Sequence, residues 1–121
     1  MPRLTAEARV AQMQWSTLWP CYVAKVTKKG RTDDQLLAVV EWLTGYGPDE
    51  TRRLATTDYT LAEFFAHAPR LNPLADTIKG RICGVRIEEI ADPLYRQVRV
   101  LDKLVDELAK GKSLDRICPA E

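Results

Sequence analysis

The chain has 121 residues, of which 45% are hydrophobic and 29% charged, and 18 basic residues against 17 acidic ones leave a net charge of +1. This size and composition fit one soluble domain, and the balanced charge excludes a strong overall attraction to nucleic acid. The cysteines Cys21, Cys83 and Cys118 are odd in number and far apart, which argues against a disulfide framework and favours a cytoplasmic location. No segment has the unbroken apolar length of a membrane span or a signal peptide, so we expect no membrane association.

The N-terminal third of the chain predicts one uncertain and one clear helix. Residues 1–14 are interpreted as a variable N-terminal segment, which either forms a loose helix after Thr5 or stays mobile. From Ser16 the apolar residues recur with helical spacing, which predicts a helix that carries Pro20 in its first turn. Gly30 then ends this helix.

Two threonines further along mark helix starts. Thr32 with Gln35, and Thr60 with Glu63, have the spacing of a capping box, and each pair precedes apolar residues with helical period. The first of these helices is expected to end near Gly45, because glycine adopts the left-handed conformation that closes a helix. Turn residues predict two further short helices, which start at Pro48 and at Asn72-Pro73.

Residues 81–87 are the one stretch with a competing interpretation. Gly80 and Gly84 bracket its start, and the alternation from Ile82 onward is typical of a short strand. Ile87 and Ile90, three apart, are equally compatible with a short helix. A short extended segment near 81–87 therefore stays open as an alternative to helix.

The last third predicts one long helix between Asp92-Pro93 and Gly111. Its apolar stripe has coiled-coil spacing, so it either faces the core of its own chain or pairs with a second copy. The charged residues between 99 and 110 are expected to form a solvated face. Together, these elements predict an all-α fold, a compact single-domain helical bundle over residues 15–118 with a long C-terminal helix. The stripe consists of Leu94, Val98, Leu101, Val105 and Leu108.

Four motifs in order carry a family resemblance: residues 42–46 (WLTGY), Gly80 with residues 82–86 (ICGVR), Asp92-Pro93, and residues 101–112 (LDKLVDELAKGK). In this combination the chain resembles the bacterial domain-of-unknown-function family 2200 from Ser16 to Ile117. The resemblance implies no assigned activity, substrate or catalytic residue. The segment before Trp15 and the tail from Cys118 to Glu121 lie outside the similar region.

The residues that bear chemistry form no recognisable catalytic pattern. Cys83 lies close to Arg81 and Arg86, which would favour a thiolate, but a small buried side chain is the simpler interpretation. His67 is the only histidine, and its place before Pro69 suits the end of a short helix. We therefore expect no catalytic residue, no metal site and no cofactor, and a role that is not enzymatic.

Two surfaces are candidates for binding. Lys25, Lys28, Lys29 and Arg31 gather at a helix corner, as in helix-turn-helix proteins, but the acidic residues 33–34 would repel a DNA backbone, so nucleic acid is not the expected partner.

The second candidate is aromatic. Trp42 and Tyr46 are four apart at a helix end and, with Arg86, they could line a cleft for a small ligand or a partner peptide, although core packing is the alternative. The leading hypothesis is a protein-interaction or self-associating module with an apolar patch. A small-molecule-binding protein or enzyme is the alternative, and a nucleic-acid binder comes third.

Overall fold

Helices dominate the computed structural model, which describes residues 5–82 and 84–118. The predicted all-α fold is confirmed, and two short antiparallel strands, β1 and β2, interrupt it once. The strands span Arg81–Ile82 and Val85–Arg86, and 3₁₀ helices span Pro73–Thr77 and Ile87–Glu89. The α-helices are α1 (Ala6–Gln12), α2 (Trp15–Thr27), α3 (Asp33–Thr44), α4 (Pro48–Leu54), α5 (Leu61–Ala66), α6 (Pro93–Ala109) and α7 (Leu114–Ile117).

Helix α6 is the centre of the bundle. Asp92 caps it by accepting a hydrogen bond from the Tyr95 amide at 2.8 Å, and Pro93 occupies the first turn, where no amide donor is needed. Helices α1, α2, α3, α5 and α7 all pack against α6. Of the predicted stripe, all residues except the half-buried Leu94 are buried in the core of this chain. The stripe is therefore occupied within the chain and is not free to form a coiled coil with a second copy.

The prediction for Pro20 was wrong. Helix α2 begins at Trp15, so Pro20 is its sixth residue and lies in the second turn. The start is fixed by tertiary contacts, since the Trp15 amide donates to the Tyr59 carbonyl at 2.9 Å and Gln14 forms a bridge with Thr60. Pro20 is solvent-exposed, which leaves water to satisfy the backbone carbonyl that loses its helical donor.

Both predicted capping boxes are present. The Thr32 hydroxyl accepts from the Gln35 amide at 3.2 Å, and the Gln35 side chain accepts from the Thr32 amide at 2.9 Å. Thr60 and Glu63 make the same reciprocal pair at the start of α5. Gly45 ends α3 in the left-handed conformation, with φ 83°. Local sequence thus sets these helix ends, as expected from capping.

The N-terminal helix that the sequence left open is formed. The Thr5 hydroxyl caps α1 by accepting from the Ala8 amide at 3.1 Å. Val10 is buried and joins the core, and the helix packs against α5 and α6. The Met13 carbonyl further accepts from the Leu61 amide at 2.7 Å, which ties the end of this segment to the start of α5.

Residues 81–87 contain both alternatives in succession. Arg81 pairs with Arg86 and Ile82 with Val85 in an antiparallel hairpin, and a 3₁₀ helix begins at Ile87. Cys83 lies outside the described residues.

The charged side of α6 is not the solvated face that its sequence suggests. Asp102 accepts from Arg99 at 2.8 Å and contacts the Tyr22 hydroxyl. Asp106 lies 3.2 Å from the Lys25 ammonium and 3.0 Å from that of Lys110. These carboxylates are half-buried beneath α2 because the long side chains of the neighbouring helix cover them. Within the described ranges, no helix is both long enough and apolar enough to cross a bilayer.

Candidate functional site

Tyr46, a predicted site residue, is held firmly in the core. It follows Gly45 directly, and its hydroxyl donates to the Phe64 carbonyl at 2.7 Å while the two rings lie 4.7 Å apart. Only 4% of its surface is exposed. Burial, with smaller contributions from Tyr59 and Glu50, raises the pKa of Tyr46 to about 12. The hydroxyl is therefore protonated at neutral pH and its proton is engaged.

The pocket at Tyr46 differs in its lining from the predicted cleft. Its volume is about 330 Å³, and neither Trp42 nor Arg86 is among its lining residues. Trp42 is half-buried against the core, with its carbonyl accepting from the Asn72 side-chain amide at 3.1 Å. Arg86 is exposed on β2. The lining residues are Tyr46, Glu50, Leu54, Tyr59, His67 and Pro69.

His67 brings a polar pair to this pocket that sequence reasoning did not anticipate. It occupies the end of α5, as predicted, and its Nδ1 lies 3.1 Å from the Tyr59 hydroxyl. Glu50, on the opposite wall, is paired with Arg53. Because Tyr59 and His67 are eight residues apart with a helix start between them, no short-range spacing in the sequence indicates their contact.

A more open feature is an apolar groove between α5 and the first half of α6, which we call the α5–α6 groove. Leu71 is 37% exposed at its edge and is one of the large hydrophobic side chains left in solvent. Alanines and a proline make up much of its surface, which permits close approach of another chain. Its cavity has a volume of about 380 Å³ and is lined by Ala62, Phe65, Ala66, Leu71, Pro93, Leu94 and Gln97.

A second cavity of about 260 Å³ adjoins the α5–α6 groove, since Pro93 and Gln97 line both. In this second cavity Arg96 supplies a positive charge. Its Nη2 donates to the Asp76 carbonyl at a long 3.4 Å, and its buried Nε has no hydrogen-bond partner among the residues that the structure describes. The remaining lining residues are Ala75, Asp76, Ala91 and Val100.

The basic corner between α2 and α3 is partly used within the chain. Lys25 is paired with Asp106, and Arg31 donates from Nη2 to the Lys112 carbonyl at 3.0 Å. Lys28 and Lys29 are exposed. Two of the four cations thus tie helix ends together, as expected for structural residues.

The fold and this surface define a small helical protein with an open apolar groove on one face. A family model described as "Uncharacterized protein conserved in bacteria (DUF2200)" matches residues 9–119, so the chain belongs to this family. The match confirms the predicted resemblance and extends it at both ends, beyond residues 16–117.

The same architecture occurs in a solved structure, the "Crystal structure of uncharacterized protein SP1917". That protein is 39% identical to this chain, with a TM-score of 0.86 over 95% of this chain and 93% of the other. No curated protein matches the chain.

Proposed function

We propose that this protein is a protein-interaction module that binds an amphipathic segment of a partner protein in the α5–α6 groove. The observation that carries the proposal is the grouping of the exposed Leu71 with the other apolar side chains of the α5–α6 groove, next to a second cavity that shares Pro93 and Gln97 with it. Contiguous exposed apolar surface is typical of interaction sites. An open groove between two helices suits a helix or extended peptide better than a compact small molecule, because such a groove encloses little of a compact ligand.

The polar groups of the groove suggest the chemistry of the partner segment. The Nε of Arg96 is buried without a partner in the described part of the chain, and an unsatisfied buried donor costs about 1–3 kcal/mol. A carbonyl or an acidic side chain of the bound segment would accept from this guanidinium. The expected ligand is thus an apolar stripe that faces Leu71 and Leu94, with an acceptor placed over Arg96.

The chain offers a matched pair of positions for the test. Leu71 is 37% exposed inside the groove, and Met13 is 38% exposed outside it. A photo-crosslinking amino acid is placed at either position, and the protein is irradiated in living bacterial cells. We expect a discrete crosslinked product from position 71 and none from position 13, because the groove alone holds the partner close to a side chain.

The crosslinked segment is then identified, synthesised and titrated into the purified protein by calorimetry. We expect Leu71→Asp to weaken its binding at least tenfold, since the change places a charge against an apolar ligand, whereas Met13→Asp leaves it unchanged. Equal crosslinking from positions 71 and 13 would refute the assignment. A crosslink to a second copy of this chain, with a dimer by native mass spectrometry, would replace the partner by self-association.

A further inference from the structure

A second cleft lies away from the α5–α6 groove, between α6, α7 and the segment that leads into β1. It is small, with a volume of about 170 Å³. Four of the side chains that line it are cationic and one is a carboxylate, which leaves three positive charges in excess. The lining residues are Thr77, Ile78, Lys79, Lys103, Leu104, Glu107, Lys112, Arg116 and Ile117.

The single carboxylate of this cleft is already neutralised. Glu107 lies 3.3 Å from the Lys103 ammonium and also contacts that of Lys112. Burial opposes ionisation of Glu107, but the two ammonium groups outweigh it and hold the pKa of the carboxyl below its usual range. Lys103 is fixed in addition by donating to the Arg81 carbonyl at 3.2 Å. The excess of positive charge in the cleft therefore persists at neutral pH.

Two further cations, Lys79 and Arg116, line the cleft. Within residues 5–82 and 84–118, neither Lys79 nor Arg116 forms an ion pair, and both are exposed. The carboxylate of Glu88 is close enough to Lys79 for their charges to interact, yet it accepts its hydrogen bond from the Gly80 amide. The side chains of Lys79 and Arg116 are therefore available to bind an anion.

The hairpin beside the cleft adds a like-charged pair. The Ile87 amide donates to the Gly80 carbonyl, so by the alternation of an antiparallel ladder the neighbouring Arg81–Arg86 pair is a non-hydrogen-bonded one. Side chains at such pairs are closest, and like charges directly opposite each other are destabilising. Both arginines are exposed. The hairpin therefore adds to the positive charge near the cleft, although neither arginine lines it.

From these observations we propose that the cleft binds the phosphoryl group of a small phosphorylated molecule. Lysine and arginine donors surround it, and such charge-assisted hydrogen bonds are those that proteins use for phosphate. Its volume is below the roughly 300–1,000 Å³ of pockets that enclose whole drug-sized ligands, so it suits a group as small as a phosphoryl. This site is independent of the α5–α6 groove.

The test is an NMR titration of the whole chain with inorganic phosphate, and then with a sugar monophosphate, at constant ionic strength. We expect saturable shifts of the amides of 77–81 and 112–117 with both ligands, and none when chloride replaces phosphate. Lys79→Ala and Arg116→Ala should each weaken binding about fivefold, as expected for the loss of one exposed ion pair. Arg52→Ala removes an exposed cation on α4 and serves as the matched control, with unchanged affinity.

Several results would overturn the proposal. Shifts of the same size with chloride would show general screening, and equal affinity of Arg116→Ala and Arg52→Ala would place the anion elsewhere. Binding of a phosphopeptide or of duplex DNA, without binding of the sugar monophosphate, would assign the cationic surface to a macromolecule instead. Circular dichroism of each variant confirms that it is folded, so a loss of binding is not a loss of structure.

Discussion

Replacing Tyr46 by phenylalanine tests whether this residue belongs to the core or to a binding site. The change removes the hydroxyl that donates to the Phe64 carbonyl at 2.7 Å and leaves both rings in contact. A buried hydrogen bond of this kind contributes about 1 kcal/mol to stability, and the Phe64 carbonyl that is left without its donor adds to the loss. We therefore expect the free energy of unfolding to fall by about 1–2 kcal/mol at pH 7. For a chain of this size the melting temperature should fall by roughly 4–8 °C.

The same variant makes a prediction about alkaline pH. The pKa of Tyr46 is about 12 in the folded chain, against about 10 in the unfolded one. The folded state therefore holds this proton more tightly, so its contribution to stability is complete below pH 10 and is lost as the pH rises towards 12. The free energy of unfolding falls by about 2 kcal/mol over this range, whereas Tyr46→Phe, which lacks the hydroxyl, does not show this fall.

Urea denaturation followed by circular dichroism at pH 7 and at pH 11 measures both effects. We expect the variant to be less stable at pH 7 and the difference from the unmodified chain to shrink at pH 11. Effects of alkaline pH that are common to both proteins cancel in this difference. Tyr59→Phe is the control, because it removes a half-buried hydroxyl that contacts an exposed histidine, and should change stability by less than about 0.5 kcal/mol. A Tyr46→Phe variant as stable as the unmodified chain at pH 7, or a difference in stability that widens at pH 11, would show that the Tyr46 hydroxyl is not engaged in the core.

Two further predictions concern a backbone position and acid pH. In urea denaturation, Gly45→Ala should lower the free energy of unfolding by about 1–2 kcal/mol more than Gly30→Ala does. Both glycines have positive φ, but an added Cβ at Gly45 would lie 2.9 Å from the Arg70 amide nitrogen. Equal losses of stability would contradict this clash. Burial disfavours the charged forms of Asp106 and Glu107, but their lysine partners more than offset this and lower both pKa values. Their contribution to stability is thus present above about pH 4 and lost as pH falls below it, and a double amide variant should lose less stability between pH 5 and pH 2. Parallel pH curves would be evidence against these ion pairs.

Local signals in the sequence were sufficient for most of the fold. Capping boxes at Thr32 and Thr60 act within one turn, and Gly45 ends α3 through its own conformation. Such features need no tertiary information. Pro20 was misplaced because the start of α2 is set by a hydrogen bond from Trp15 to Tyr59, which lies far away in the sequence.

The surfaces were harder to predict, because each combines elements that are distant in sequence. The α5–α6 groove is lined by Leu71 together with Leu94 of α6, whereas the amphipathic period of α6 predicts only that helix's side of the groove. Periodicity predicts a solvated face on the charged side of α6, because it does not reveal that α2 covers Asp102 and Asp106. Helical spacing identifies faces, whereas the neighbour of each face depends on the packing of the whole bundle.

We propose the α5–α6 groove as the binding surface for a partner protein. The most direct measurement is the affinity of the crosslinked partner segment for Leu71→Asp and for Met13→Asp, each compared with the unmodified chain. We expect at least a tenfold loss of affinity for Leu71→Asp and no change for Met13→Asp. Equal affinities of the two variants would contradict it.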